Sequence, residues 1–116
     1  MIDFADDLMD VFMDVTGFDW DQGNCRKNVD KHGVSQPEAE QVFFNQPLLL
    51  AEDAGHSQVE QRFHALGTTN FGRRLHVTFT LRGEGTLIRV ISARDMHHKE
   101  RAYYEREPPT HSQLLH

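Results

Sequence analysis

A chain of 116 residues with 38% apolar and 26% charged content has room for one hydrophobic core and no second domain of ordinary size. No apolar run approaches the roughly 18 residues of a membrane span, and the acidic start lacks the basic opening of a secretion signal. A lone Cys25 excludes an intrachain disulfide and any cysteine-based zinc motif, so the expected location is the cytoplasm. The formal net charge of -6 conceals an asymmetry: residues 1–21 carry seven aspartates and no lysine or arginine, whereas Arg73 to Arg106 holds eight basic residues against four acidic ones.

Along the chain, Phe4, Leu8, Val11, Phe12 and Val15 recur at helical spacing opposite aspartates, which predicts an acidic amphipathic helix over 3–16 that stops before Gly17. Phe18 to Asp21 reads as a short edge strand or turn. Residues 22–32 have helical polarity and end at Gly33. Ser35, followed by Pro37 and Glu38, caps a further helix whose apolar side is Ala39, Val42 and Phe43, broken at Asn45-Gln46-Pro47. Strands follow at 48–52, 61–67, 75–82 and 86–93, the last two joined as a hairpin by Gly83-Glu84-Gly85. Alternation sends Val77, Phe79, Leu81, Phe63, Ile88 and Val90 to one face, and Arg62, His64, His76, Thr78, Thr80 and Arg89 to the other. Asp95 is positioned to cap a last helix from Met96 to Glu107, and Pro108-Pro109 opens a tail, 108–116, expected to be disordered.

Arg89 is the informative residue in this pattern. It stands among Leu87, Ile88, Val90 and Ile91, where a guanidinium without an anionic partner would forfeit its hydration. Its partner is either a carboxylate of the chain, with Asp21 and Glu100 the candidates, or a bound anion. Arg94 and Arg101 add cationic donors nearby, and planar guanidinium groups suit phosphate oxygens.

Trp20-Asp21, Asn28, Lys31-His32-Gly33-Val34-Ser35, Pro47, Arg62-Phe63, Gly67, Gly72-Arg73, Ile88-Arg89-Val90-Ile91-Ser92-Ala93-Arg94 and Glu100-Arg101-Ala102-Tyr103-Tyr104-Glu105 occur in this order. Over 18–107 the chain thereby resembles the BrnT toxins of bacterial type II toxin-antitoxin systems, with 1–17 as an acidic extension. The resemblance implies an α+β, RelE-like fold: two N-terminal helices packed on an antiparallel β-sheet, plus a C-terminal helix. It implies a ribonuclease that inhibits translation. It also implies a BrnA-like ribbon-helix-helix antitoxin as partner, in a heterotetramer that meets operator DNA only through the antitoxin. Asn24, Gln61 and Asp95-Met96-His97 depart from the family pattern, and each removes charge near the site. An inactive relative that survives as an antitoxin-binding module or corepressor is the alternative.

Cleavage of RNA without a metal turns the ribose 2'-hydroxyl on the adjacent phosphate, which needs a proton acceptor, a proton donor and cations for the phosphorane. Arg62 and Arg89 are assigned to transition-state charge, and Lys31, His32, Glu100 or Tyr104 to proton transfer. Arg73, Arg94, Arg101, His76 and Thr80 are assigned to RNA contact. Plainer roles compete: His32 capping the helix that ends at Gly33, Tyr104 packing the last helix, and Arg101 pairing with Glu105 on the surface. No cofactor is expected, and the eight histidines show no metal-ligand spacing.

Overall fold

The computed structural model describes residues 12–23, 26, 31–53 and 60–106. They form an α+β domain around a five-stranded sheet: β1 Gly17–Phe18, β2 Leu49–Glu52, β3 Arg62–Thr68, β4 Arg74–Arg82 and β5 Leu87–Asp95, in the spatial order β1-β5-β4-β3-β2. Helix α1, Gln36–Gln41, runs on into a 3-10 turn, Val42–Phe44, and helix α2 is His98–Arg106. No described helix is long and apolar enough to cross a membrane.

The sheet is mixed, not purely antiparallel as expected. β2 to β5 are antiparallel neighbours, but β1 pairs parallel to β5 through Gly17 with Leu87 and Phe18 with Ile88. The N-terminal segment runs alongside β5 in the same direction, and two residues of pairing suffice because Asp19 N–H continues the ladder to Ile88 O at 2.9 Å. Of the acidic helix expected over 3–16, residues 1–11 lie outside the described residues. Phe12 to Asp14 form only a turn, closed by Val15 N–H to Phe12 O at 3.1 Å. Gln22, Gly23, Arg26, Lys31 and His32 are helical, as the second expected helix requires at those positions. Gly33 then adopts φ +65°, a left-handed turn that glycine makes without a Cβ penalty.

Ser35 caps α1 as its sequence predicts. Its side chain accepts from Glu38 N–H, while the Glu38 carboxylate accepts from Ser35 N–H at 3.0 Å, completing a capping box. The last helix starts two residues later than expected, because Asp95 ends β5 and gives its carboxylate to Arg73. Glu100 takes the capping role instead, accepting from His97 N–H at 2.8 Å.

The principal core fills one face. Phe79 is its hub, stacked on Phe63 at 5.4 Å between ring centroids and meeting Phe43 edge-on at 5.1 Å. Val34, Ala39 and Val42 come down from the helical side onto Ala65, Val77 and Val90. That approach is close enough that a Cβ on Gly67 would meet Val42 Cγ1 at 2.5 Å. A smaller cluster on the opposite face, Leu66, Met96 and Tyr104 with Leu49 and Tyr103, seats α2 over one end of the sheet and leaves the rest of that face polar.

Candidate active site on the polar face of the sheet

The antiparallel register sets the polar face. Arg62, Thr80 and Arg89 are paired across β3, β4 and β5, and so share one row. His64, Thr78 and Ser92 form the next row, and Leu66, His76 and Arg94 the one beyond. A shift in register between Thr78 and Phe79 lets Ile91 stand as the extra residue, which keeps both Arg89 and Arg94 in phase with the polar partners on β4. Neighbouring strands lie about 4.8 Å apart, so three arginines and two histidines face the same side within a few strand spacings.

Arg89 is held by the segment that follows β1. Its Nη2 lies 2.6 Å from Asp21 Oδ2, and its Nη1 lies 3.5 Å from Asp19 Oδ2. The Asp21 bond raises the guanidinium's pKa beyond its ordinary value. Of the two partners considered from the sequence, the structure supplies Asp21. Glu100 belongs elsewhere: Arg94 grips both of its oxygens, at 2.8 and 3.0 Å, and His76 Nδ1 lies 2.8 Å from Oε2. Burial opposes ionisation of this carboxyl, but Arg94, the His97 N–H and His76 outweigh it and bring it down to about 2.

Arg73 is drawn inward as a clamp. It forms a fork with Asp95 at 2.7 and 3.0 Å, reaches Glu38 at 3.1 Å, and donates to the carbonyls of Gly33 and His32. One guanidinium thus ties the end of β5 to the N-terminus of α1 and to the Lys31-His32-Gly33 turn. His32 and Arg101 both lie near enough to Asp95 to help Arg73 keep it ionised. Lys31 and Arg101 are exposed and His32 is half-buried.

Tyr104 is buried, and its hydroxyl donates to Pro47 O at 2.7 Å; burial pushes its pKa up to about 12. Thr80 is buried and donates to Gln61 O at 2.5 Å, which fixes the backbone beside Arg62. The structure therefore brings Arg62, Thr80, Arg89, His76, Arg94 and Glu100 to one face, sets Arg73, His32 and Arg101 around Asp95 at its end, and turns the Tyr104 hydroxyl towards the backbone.

Sequence reasoning placed His64 on this face but gave it no role, and it overlooked Asp53. His64 Nδ1 lies 2.8 Å from His76 Nε2, and His64 Nε2 lies 2.9 Å from Asp53 Oδ2. The spacing of His64 two residues after Arg62 was visible. The register that sets it against Ala51 on β2, beside Asp53, was not. Gln61, one of the departures noted in the sequence, donates to Glu52 at 2.7 Å, so an acidic side chain does reach this corner. Among the described residues no cluster of histidine, cysteine and carboxylate side chains has a metal-holding arrangement.

These features define a small α+β domain whose sheet face is lined with guanidinium and imidazole groups, a surface suited to an anionic, phosphate-bearing ligand. Residues 20–100 match the family model of the ribonuclease toxin BrnT of type II toxin-antitoxin systems, and the chain belongs to that family. No curated protein matches the chain.

Proposed function

We propose that the protein is a RelE-like, metal-independent endoribonuclease that cuts RNA to stop translation in the cytoplasm, using the polar sheet face as its active site. The observation that carries this reading is the row Arg62, Thr80 and Arg89 with Arg94 on the same face, in a chain from a ribonuclease toxin family. Arg62 and Arg89, on one face with only β4 between them, supply guanidinium donors of the kind that neutralise a phosphorane's equatorial oxygens. The attacking group is the ribose 2'-hydroxyl, which restricts the substrate to RNA. Arg62 and Arg89 stabilise the developing charge, and Arg94 with His76 positions phosphate. Lys31, His32 and Glu100 remain the proton-transfer candidates. Glu100, at about 2, is a weak base held fully ionised.

The partner in this reading is a BrnA-like ribbon-helix-helix antitoxin that neutralises the toxin in a heterotetramer and alone contacts operator DNA. Inducing the chain in bacteria tests it: growth and protein synthesis stop, and co-expression of the antitoxin gene beside it restores both.

One observation favours the second reading, a catalytically inactive relative that binds antitoxin or acts as corepressor. Arg89 and Arg94, two of the cations on this face, are engaged by carboxylates of the chain itself. In that case induction leaves growth unchanged while the antitoxin still binds.

A further inference from the structure

The polar face holds a chain of hydrogen bonds that crosses four strands and α2: Asp53 after β2, His64 on β3, His76 and Thr78 on β4, Arg94 on β5 and Glu100 on α2. Both imidazoles are buried, at 8% and 6% exposure. With both rings neutral, the contacts assign their protons. A carboxylate oxygen only accepts, so His64 Nε2, 2.9 Å from Asp53, carries a proton and neutral His64 has a bare Nδ1. That bare nitrogen takes the Thr78 hydroxyl at 3.2 Å and faces His76 Nε2 at 2.8 Å, so His76 Nε2 must be the donor. A neutral His76 then has a bare Nδ1, which accepts from Arg94 Nη2 at 2.9 Å.

The same Nδ1 lies 2.8 Å from Glu100 Oε2, and in the neutral state that contact sets one acceptor against another. Adding one proton to Nδ1 converts it into a charge-assisted bond to Glu100 and removes one of the two acceptors that Arg94 Nη2 meets. The network thus has two arrangements that differ by a single proton, each with one mismatched contact at His76 Nδ1: to Glu100 when the ring is neutral, to Arg94 Nη2 when it is charged.

We propose that His76 is a one-proton switch on Arg94, with Asp53 and His64 as positioning residues that hold its Nε2 protonated so that all proton uptake occurs at Nδ1. Neutral His76 helps fix Arg94 against the protein. Protonated His76 turns to Glu100 and repels Arg94, so that one N–H of Nη2 becomes available to a phosphodiester while its other N–H stays on Glu100 Oε2 and Nη1 stays on Glu100 Oε1 and on Asp95 O. Burial is the largest influence on this imidazole and lowers its pKa despite Glu100, so the switch operates on the acid side of neutrality. The effect on phosphodiester binding rests on the reading of Arg94 as a phosphate contact; the proton arrangement does not.

Nitrogen-15 NMR of the histidine rings and the Arg94 guanidinium in the full chain, titrated from pH 8 to 5, tests it without RNA. At pH 8 His76 should show an unprotonated Nδ1 and His64 the Nε2–H form. As His76 gains its proton, hydrogen exchange at Arg94 Nη, taken relative to an exposed arginine of the same chain at each pH, should accelerate about tenfold, as for loss of one bond to a charged donor. In His76→Asn the Arg94 signals should lose this dependence on pH, and in Asp53→Asn His76 should populate both neutral tautomers. A His76 that already carries Nδ1–H at pH 8, or Arg94 exchange that stays level while His76 titrates in the wild-type chain, overturns the proposal. Absence of RNA cleavage alongside the expected NMR pattern would instead count against the ribonuclease reading alone.

Discussion

Asp21 Oδ2 lies 2.6 Å from Nη2 of Arg89, so the strand arginine that demands an anion receives one from the segment following β1. Asp21 is mostly exposed, with 56% of its side chain accessible, and the pair is open to exchange with an external anion. On the proposed reading, the bond gates the site more than it supports the fold.

Asp21→Asn should loosen Arg89, leaving it the longer contacts to Asp19. Stability should fall by less than about 1 kcal/mol, the usual worth of an exposed pair. Affinity for a 2'-O-methyl ribo-oligonucleotide, which binds but is not cut, should rise several-fold at low salt and lose that gain at high salt. Fluorescence anisotropy at two salt concentrations reads both.

Arg73→Met should behave in the opposite way. The guanidinium closes contacts to Asp95, Glu38, Gly33 O and His32 O, and its loss leaves two carboxylates without their cation. The expected cost is about 1–3 kcal/mol, discounted because the side chain is 29% exposed, seen as a drop of several degrees in Tm. Unchanged stability with weakened RNA binding would make Arg73 an RNA contact and not a clamp.

The Glu100 carboxyl gives a pH signature. Its folded-state pKa of about 2 lies below the ordinary 4.5, so it adds stability above the ordinary value that drains away as pH falls towards 2. The full effect is on the order of 3 kcal/mol. Urea unfolding at pH 5, 4 and 3 should show the wild-type chain losing stability more steeply than Glu100→Gln.

Tyr104 should ionise only near pH 12, because burial opposes the phenolate. Absorbance titration of Tyr103→Phe, which leaves a single phenol, measures this directly. Tyr104→Phe forfeits the bond to Pro47 O at a cost of about 1 kcal/mol, and RNA cleavage should persist.

Gly67→Ala should destabilise by about 1–3 kcal/mol, since the added Cβ collides with Val42 in a packed core. Combining it with Val42→Ala should restore part of the loss, and thermal unfolding of the double variant checks the pairing.

The strands and their two faces were legible because alternation is a local property: Val77, Phe79 and Leu81 against His76, Thr78 and Thr80 leaves little choice. The capping box at Ser35 was legible for the same reason. Partnerships between elements were not. That Asp95 serves Arg73 and not the helix after it depends on where Arg73 arrives at the end of β5, 22 residues away in sequence. Asp53 was invisible as a partner of His64 because the link runs through the β2–β3 register. The parallel pairing of β1 escaped because two residues carry no period.

Cleavage of RNA by the purified chain in EDTA, comparing wild type with Arg89→Ala and Arg62→Ala, tests the central claim most directly. The account predicts products with 2',3'-cyclic phosphate ends, undiminished by EDTA and reduced roughly a hundredfold or more in each folded variant, as expected when a transition-state cation is removed. Equal cleavage by all three proteins, or none by folded wild type even with translating ribosomes present, would contradict it.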